Sequence, residues 1–192
     1  MVHATRFKAA FIGTHGVGKT TLCFGLAALL KARDVSLEVV HEVARRCPLP
    51  INEETGVASE SWILHTHVAE ELIAAFRYPV VLCDRSVLDN YVYLLLAAGE
   101  QPVLEDLVTR WSRTYDLLVH VPAVEEPQPD GVRAADPTFQ RLVEERLDRE
   151  LAARGLEERT LRLDRSDRAG WLAKVEEAIW SRVRPAQLQL LP

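Results

Sequence analysis

Eight residues near the start of the chain constrain it more than any others. Gly13-Thr14-His15-Gly16-Val17-Gly18-Lys19-Thr20 fits the pattern G-x-x-x-x-G-K-[ST]. Glycines let the backbone turn tightly, so that successive N–H groups point at one phosphate. A helix beginning near Gly18 adds the positive end of its dipole. Gly13, His15, Gly16, Val17 and Gly18 are therefore expected to cradle phosphates with their backbone. Lys19 is placed to reach the β- and γ-phosphates, and Thr20 to hold Mg²⁺. Thr21 follows and is placed to donate to the α-phosphate.

The flanking segments agree with that reading. Phe7–Ile12 is short, apolar and ends at Gly13, as a buried parallel strand should. Leu22, Leu26, Leu29 and Leu30 then recur at helical spacing through about Arg33. The rest of the chain continues the alternation. Strands are expected at Leu37–Val40, Val80–Cys83, Leu117–Val121 and Thr160–Leu163. Helices are expected over Ser59–Phe76, with Trp62, Ala69, Leu72, Ile73 and Phe76 on the inward face, and over Val87–Ala98, stopped by Gly99. A further helix opens at Pro102, with Leu104, Leu107, Val108 and Trp111 inward. Another has Pro137 at its first position, Asp136 as its cap, and Phe139, Leu142, Val143, Leu147 and Leu151 as its stripe. A last one buries Leu172, Val175, Ile179 and Val183, before a tail from Pro185 that should fray. Strands alternating with helices imply an α/β fold with a parallel sheet. Ligands of such sheets bind at the carboxyl ends of the strands.

At 192 residues the expectation is one domain, 1–192, with a lid at about 122–141. A net charge of −5 argues against a general nucleic-acid binder. No apolar run approaches the 18 residues of a membrane span, and Arg6 and Lys8 precede only four apolar residues, unlike a signal peptide. Cys23, Cys47 and Cys83 are odd in number and widely spaced, which reads as reduced, buried thiols in a cytoplasmic protein.

Further candidates sit at strand ends. Asp84-Arg85-Ser86 closes the third strand, where a Mg²⁺-directed carboxylate belongs. Asp84 or Ser86 could equally cap the next helix. Glu42 lies just past the second strand and is a candidate to take a proton from a substrate hydroxyl. Its plain alternative is an ion pair with Arg45 or Arg46. His41 reads as a spectator. His65 and His67, two apart on a helix, face different directions and form no metal site. Asp89 suits the positive end of its helix, with a place in the substrate pocket as its alternative. In Pro122–Pro137, too long for a plain connection, Asp130-Gly131-Val132-Arg133 offers an arginine for transferring phosphates, with Arg141 nearby. The polar run Asp164–Arg168 follows the fifth strand, where it can cover a nucleotide base, and Arg168 is included in the nucleotide set. Val87 stands where a switch GTPase has the glycine of Asp-x-x-Gly, and no Asn-Lys-x-Asp guanine reader follows the fourth strand.

Taken in order, the Gly13–Thr20 loop, Glu42-Val43-Ala44-Arg45, Asp84-Arg85-Ser86 and Asp130–Arg133 resemble small P-loop kinases of the thymidylate-kinase and deoxynucleoside-kinase type. The chain looks most like the AAA-type ATP-binding proteins near the nicotinamide-riboside kinase domain of bacterial NAD regulators, over about residues 7–180. That resemblance implies a three-layer P-loop NTPase fold with five parallel strands in the order 2-3-1-4-5 and an arginine-bearing lid. It also implies that Glu42 is the base, that Asp84 and Arg85 handle Mg²⁺ and the acceptor, and that Arg133 is the first lid arginine. Arg141 stands eight residues beyond Arg133, and Val43-Ala44 replaces the proline that follows the base in many deoxynucleoside kinases. The expected activity is ATP-dependent transfer of the γ-phosphate to a small molecule, a nucleoside or nucleotide, in a pocket lined by Glu42, Trp62 and Arg85. The expected partners are a nucleoside triphosphate and that acceptor, with Mg²⁺ and without nucleic acid or membrane, and a homodimer is left open. The rival expectation is an NTP-binding regulatory switch or slow NTPase with no small-molecule acceptor.

Overall fold

The computed structural model describes residues 7–51, 55–123 and 137–182. Its centre is a single parallel sheet of β1 (Phe7–Ile12), β2 (Leu37–Val40), β3 (Val80–Asp84), β4 (Leu117–His120) and β5 (Thr160–Arg162), in the order β2-β3-β1-β4-β5. The register pairs Ala9 of β1 with Leu82 on one side and with Leu117 on the other.

Both faces of the sheet are covered, which explains why its strands read as apolar runs without clean alternation. The alternation lies in which face each residue serves. Phe7, Ala9, Phe11, Leu37, Val80, Leu82, Leu117 and Val119 pack under α1 (Lys19–Lys31) and α6 (Trp171–Trp180). Ala10, Ile12, Val40, Val81, Cys83 and Leu118 pack under α2 (Val57–Arg77), α3 (Val87–Ala98), α4 (Pro102–Ser112) and α5 (Pro137–Ala153). The result is the three-layer P-loop architecture. Among the described residues, no helix is long and apolar enough to cross a membrane.

Element boundaries match the sequence reading to within a residue or two, and a 3-10 turn over Val43–Arg46 is added. The inward face of α2 does not match. Leu72 and Ile73 are 57% and 53% exposed, and Phe76 is 81% exposed. Ala69 is exposed as well, and Trp62 is half-buried against Val43, Ala44 and Ile63. The helix instead buries Ile63, Leu64, His67, Glu71 and Ala74.

The reason is a polar hub inside the core. Glu71 accepts from Trp111 Nε1 at 2.7 Å, from the Tyr115 hydroxyl and from Lys8 Nζ, and its Oε1 lies 2.9 Å from His67 Nε2. Lys8 also lies over the rings of Trp111 and Tyr115, at 4.9 and 4.4 Å. A buried carboxylate with this many partners is tolerated, and it turns the helix by nearly half a revolution from the pattern its apolar residues suggest. Leu142 on α5 is similarly outward, at 47% exposure. Cys23 and Cys83 are buried as expected, whereas Cys47 is half-buried.

Candidate functional site

The carboxyl ends of β1, β2 and β3 converge on one opening. From β1 the chain enters the loop at Gly13, where φ is +135°, and turns again at Gly16 (+73°) and Gly18 (+94°). Side chains rarely adopt such values. At Gly13 space is also lacking, because a Cβ there would fall 2.5 Å from the carbonyl oxygen of Val121. Gly18 is the N-cap of α1, with no side-chain cap, so the first N–H groups of that helix remain available to a ligand.

A cavity of about 210 Å³ opens over the loop, lined by residues 15–20 together with Glu42, Arg45, Asp84 and Arg85. Residues nominated separately from the sequence are thus neighbours. Lys19 is buried, and Nζ donates to the carbonyls of Gly13, at 2.9 Å, and Thr14. Thr20 Oγ1 donates to Asp84 Oδ2 at 2.7 Å. Two hard oxygen donors meeting beside the phosphate loop suit a small oxygen-seeking cation such as Mg²⁺. Asp84 is not the cap of α3; Ser86 takes that role, its Oγ accepting from Asp89 N. Thr21 is exposed in the first turn of α1, outside the cavity lining.

Glu42 stands across the opening as the hub of two ion pairs. Oε1 accepts from Arg85 Nε and Oε2 from Arg45 Nε, both at 2.7 Å. Arg46 turns away to Glu70. Arg85 has φ of +99°, a costly conformation for a residue with a side chain. Its side chain is 4% exposed, fixed by Glu42 and set 5.2 Å over the ring of Tyr93. Burial works against its charge, yet Glu42, Tyr93 and Asp89 hold its pKa above the ordinary arginine value. Among the described residues, Nη1 has no hydrogen-bond partner.

Several residues support the site in ways the sequence reading did not give. Asp89 does more than complement a dipole: Oδ1 accepts from Gly13 N at 3.0 Å, and Oδ2 accepts from the N–H and hydroxyl of Ser86. It joins the phosphate loop to the turn that carries Asp84 and Arg85. From α5, Gln140 Nε2 donates to the carbonyl of His15 at 2.8 Å, and Glu144 Oε1 accepts from Thr14 N at 3.2 Å. His15, Tyr93 and Phe139 form a loose aromatic group, with ring centroids about 6 Å apart for the Phe139 pairs. The Tyr115 hydroxyl, while donating to Glu71, accepts from Val87 N at 2.9 Å, so the core hub also holds the start of α3.

Arg168 reaches the loop from the other side, its Nη2 lying 3.5 Å from where a Cβ on Gly18 would be, with its guanidinium 5.9 Å from the Trp171 ring. Trp171 Nε1 donates to the Asp164 carbonyl, which ties that loop to α6. Trp62 is not part of the cavity lining, unlike Glu42 and Arg85. Arg133 and the expected cap Asp136 lie outside the described residues, as does most of the expected lid; Arg141 is exposed on α5. His65 is exposed and bonded to the Ser61 carbonyl, and His67 faces the core. His67, Glu71 and Cys83 bring ligand atoms within 4.8 Å of one another. The Lys8 ammonium already supplies the positive charge there.

A glycine cradle at the carboxyl end of a central strand, with lysine and threonine entering a helix and an aspartate facing them from the next strand, defines a P-loop protein. Residues 8–168 match the family described as an AAA domain, and the chain belongs to that family. No curated protein sequence matches it. Among solved structures it is similar to NadR protein in complex with NR, with 19% identity, 92% of this chain and 49% of that chain covered, and a TM-score of 0.74. A second NadR structure, in complex with NAD and AMP-PNP, gives 19% identity, 94% and 51% coverage, and 0.70. Deoxyadenosine kinase from M. mycoides, with products dCMP and a flexible dCDP bound, gives 14% identity, 91% and 100% coverage, and 0.61. The chain spans about half the length of the NadR chains. At these identities the likeness is one of fold.

Proposed function

We propose that the chain is an ATP-dependent kinase that transfers a γ-phosphate to a hydroxyl of a small acceptor, a nucleoside or nucleotide. One observation carries the reading: Glu42, braced by Arg85, lines the same 210 Å³ cavity as Lys19, Thr20 and Asp84. A buried carboxylate–guanidinium pair facing the phosphate loop suits an acceptor that must be held in line with the γ-phosphate. Catalysis of phosphoryl transfer is largely a matter of positioning and charge stabilisation.

The residues divide the work by place. The backbone of residues 13–18 cradles the phosphates, and Lys19 leaves the loop carbonyls for the β- and γ-phosphate oxygens. Thr20 and Asp84 would hold Mg²⁺, which neutralises phosphate charge when bound. Glu42 takes the hydrogen bond of the acceptor hydroxyl. Of its two arginines, Arg45 is the one to give way, since its side chain is 49% exposed against 4% for Arg85. Arg168 covers the nucleotide beside Trp171. The solved structures support the reading in kind, since one NadR structure carries AMP-PNP and the deoxyadenosine kinase structure carries dCMP and dCDP.

The deciding experiment measures ATP turnover with and without a panel of nucleosides and nucleotides, with product phosphorylation detected directly. Acceptor-dependent ADP release matched by phosphorylated acceptor is expected. Nucleotide binding with acceptor-independent turnover across the panel overturns the kinase reading in favour of a regulatory switch.

A further inference from the structure

The outward stripe of α2 fits neither the core nor the cavity. Ala69, Leu72, Ile73 and Phe76 recur at steps of three and four, so they form one continuous face. They are four exposed apolar residues on a single helix, and Phe76 is the most exposed aromatic side chain among them at 81%. Scattered exposed hydrophobics are ordinary, but a contiguous row on one element marks an interaction surface.

We propose that this face binds a second copy of the chain, with the two α2 helices antiparallel across a two-fold axis near Ile73. Two features favour a second copy over an unrelated partner. The first is shape. In an antiparallel pair centred on Ile73, Phe76 of each copy lies within about 1.5 Å, along the axis, of the level of Ala69 of the other, so the largest side chain of the stripe meets the smallest. The second is charge. Glu70 and Arg77 are seven residues apart, two helical turns, and therefore lie on the same flank of the stripe, about 10 Å from one another along the axis. The same two-fold axis keeps both flanks on one side and reverses their order. Glu70 of each copy then stands by Arg77 of the other, twice over. A self-complementary surface is what an isologous dimer requires.

Glu70 already pairs with Arg46 of the turn that follows Glu42, and its side chain remains 27% exposed. Arg77 of the second copy would extend that pair into a three-residue network. The interface thereby sits one turn of chain from the cavity without entering it. A single helix pair with its flanks lies at or below the low end of stable interfaces, about 1,200 Å² in total, so a dissociation constant of roughly 1–100 µM is expected. This inference does not depend on phosphoryl transfer and is tested without it.

Sedimentation equilibrium of the purified chain over a wide concentration range should show a reversible shift from 21.6 kDa to twice that mass. Phe76→Glu and Ile73→Glu should each weaken the dimer at least about tenfold, as loss of a central apolar contact does. Measured well below the dissociation constant, circular dichroism and the melting temperature should stay unchanged, because both side chains are exposed in the free chain. Phe76→Ala should weaken the dimer less, and serves should the charged variant fail to fold. Glu70→Arg and Arg77→Glu should each weaken it, and the double variant Glu70→Arg, Arg77→Glu should recover part of the loss, the remainder reflecting Arg46, which loses its own partner. A 21.6 kDa species up to the limit of solubility overturns the proposal. So does a dimer indifferent to Phe76→Glu, and so does a double charge exchange that recovers none of the loss.

Discussion

Thr20 Oγ1 donates to Asp84 Oδ2 at 2.7 Å, which joins the first turn of α1 to the last residue of β3. Sixty-four positions separate the two residues in sequence, yet each closes one of two adjacent parallel strands and its loop. Parallel pairing of Phe11 with Asp84 brings the strand ends level, so the contact follows from the sheet register.

Asp84→Asn is expected to keep that geometry, since an amide oxygen can still accept from Thr20. It removes the negative charge that a divalent cation needs. Nucleotide binding should require at least about tenfold more Mg²⁺ for half-saturation, read from a Mg²⁺ titration at fixed ATP. An unchanged titration would leave Asp84 as a structural acceptor only.

Lys19→Ala separates ligand contact from folding. Its Nζ is charged and aimed at the loop, and loss of a hydrogen bond to a charged group costs about 1.5–3 kcal/mol, roughly 10–150-fold in affinity. Calorimetric titration with Mg²⁺-ATP should show that loss. The Gly13 and Thr14 carbonyls also lose a donor, so a small fall in melting temperature should accompany it. ATP affinity equal to that of the unaltered chain would refute the phosphate-loop role.

Glu42→Gln leaves a near-isosteric side chain that still accepts from Arg85 but carries no charge. Acceptor-dependent kcat should fall by about 10²–10⁴-fold, with ATP affinity within a few-fold. The buried Arg85 charge loses its counter-ion, so the melting temperature should also drop by an amount equivalent to about 1–3 kcal/mol. Normal turnover in a destabilised protein would assign Glu42 to holding Arg85 in its positive-φ conformation rather than to the reaction.

How much of this was legible in the sequence depends on the kind of constraint. Gly13, Gly16 and Gly18 announce themselves because only glycine fits their backbone, and Lys19 and Thr20 follow at fixed spacing. Glu42 and Asp84 were legible because each follows an apolar strand, and the resemblance to P-loop kinases supplied the strand order that makes them neighbours. Gln140 and Glu144 were not legible, since they reach the loop from 125 and 130 residues away and nothing local marks them. The face of α2 was misread for a physical reason. A hydrophobic pattern assumes that charge faces water, whereas Glu71 and His67 face the core and Leu72, Ile73 and Phe76 do not. Only the positions of Lys8, Trp111 and Tyr115, on other elements, reveal why.

That buried hub is expected to make the fold sensitive to acid. Burial pushes the Glu71 pKa upward, but His67 and Lys8 beside it prevail and lower it from 4.5 to about 2. A carboxylate whose pKa is depressed on folding contributes stability that is fully present above its unfolded value and is lost as pH falls through its folded value. For Glu71 the window therefore runs from about pH 4.5 down to about pH 2, and the shift corresponds to about 3 kcal/mol. Denaturant unfolding at a series of pH values should show stability declining across that window. Glu71→Gln should be less stable at neutral pH by about 3–5 kcal/mol, because Lys8 keeps a buried charge without its partner. It should also lose the part of the acid slope that Glu71 supplies. Glu71 is not among the residues that line the cavity, but Tyr115 links it to Val87 at the start of α3. Nucleotide affinity in the variant should therefore hold wherever the protein remains folded and weaken only as α3 loosens. A variant with the acid slope of the unaltered chain would show that the titrating group lies elsewhere.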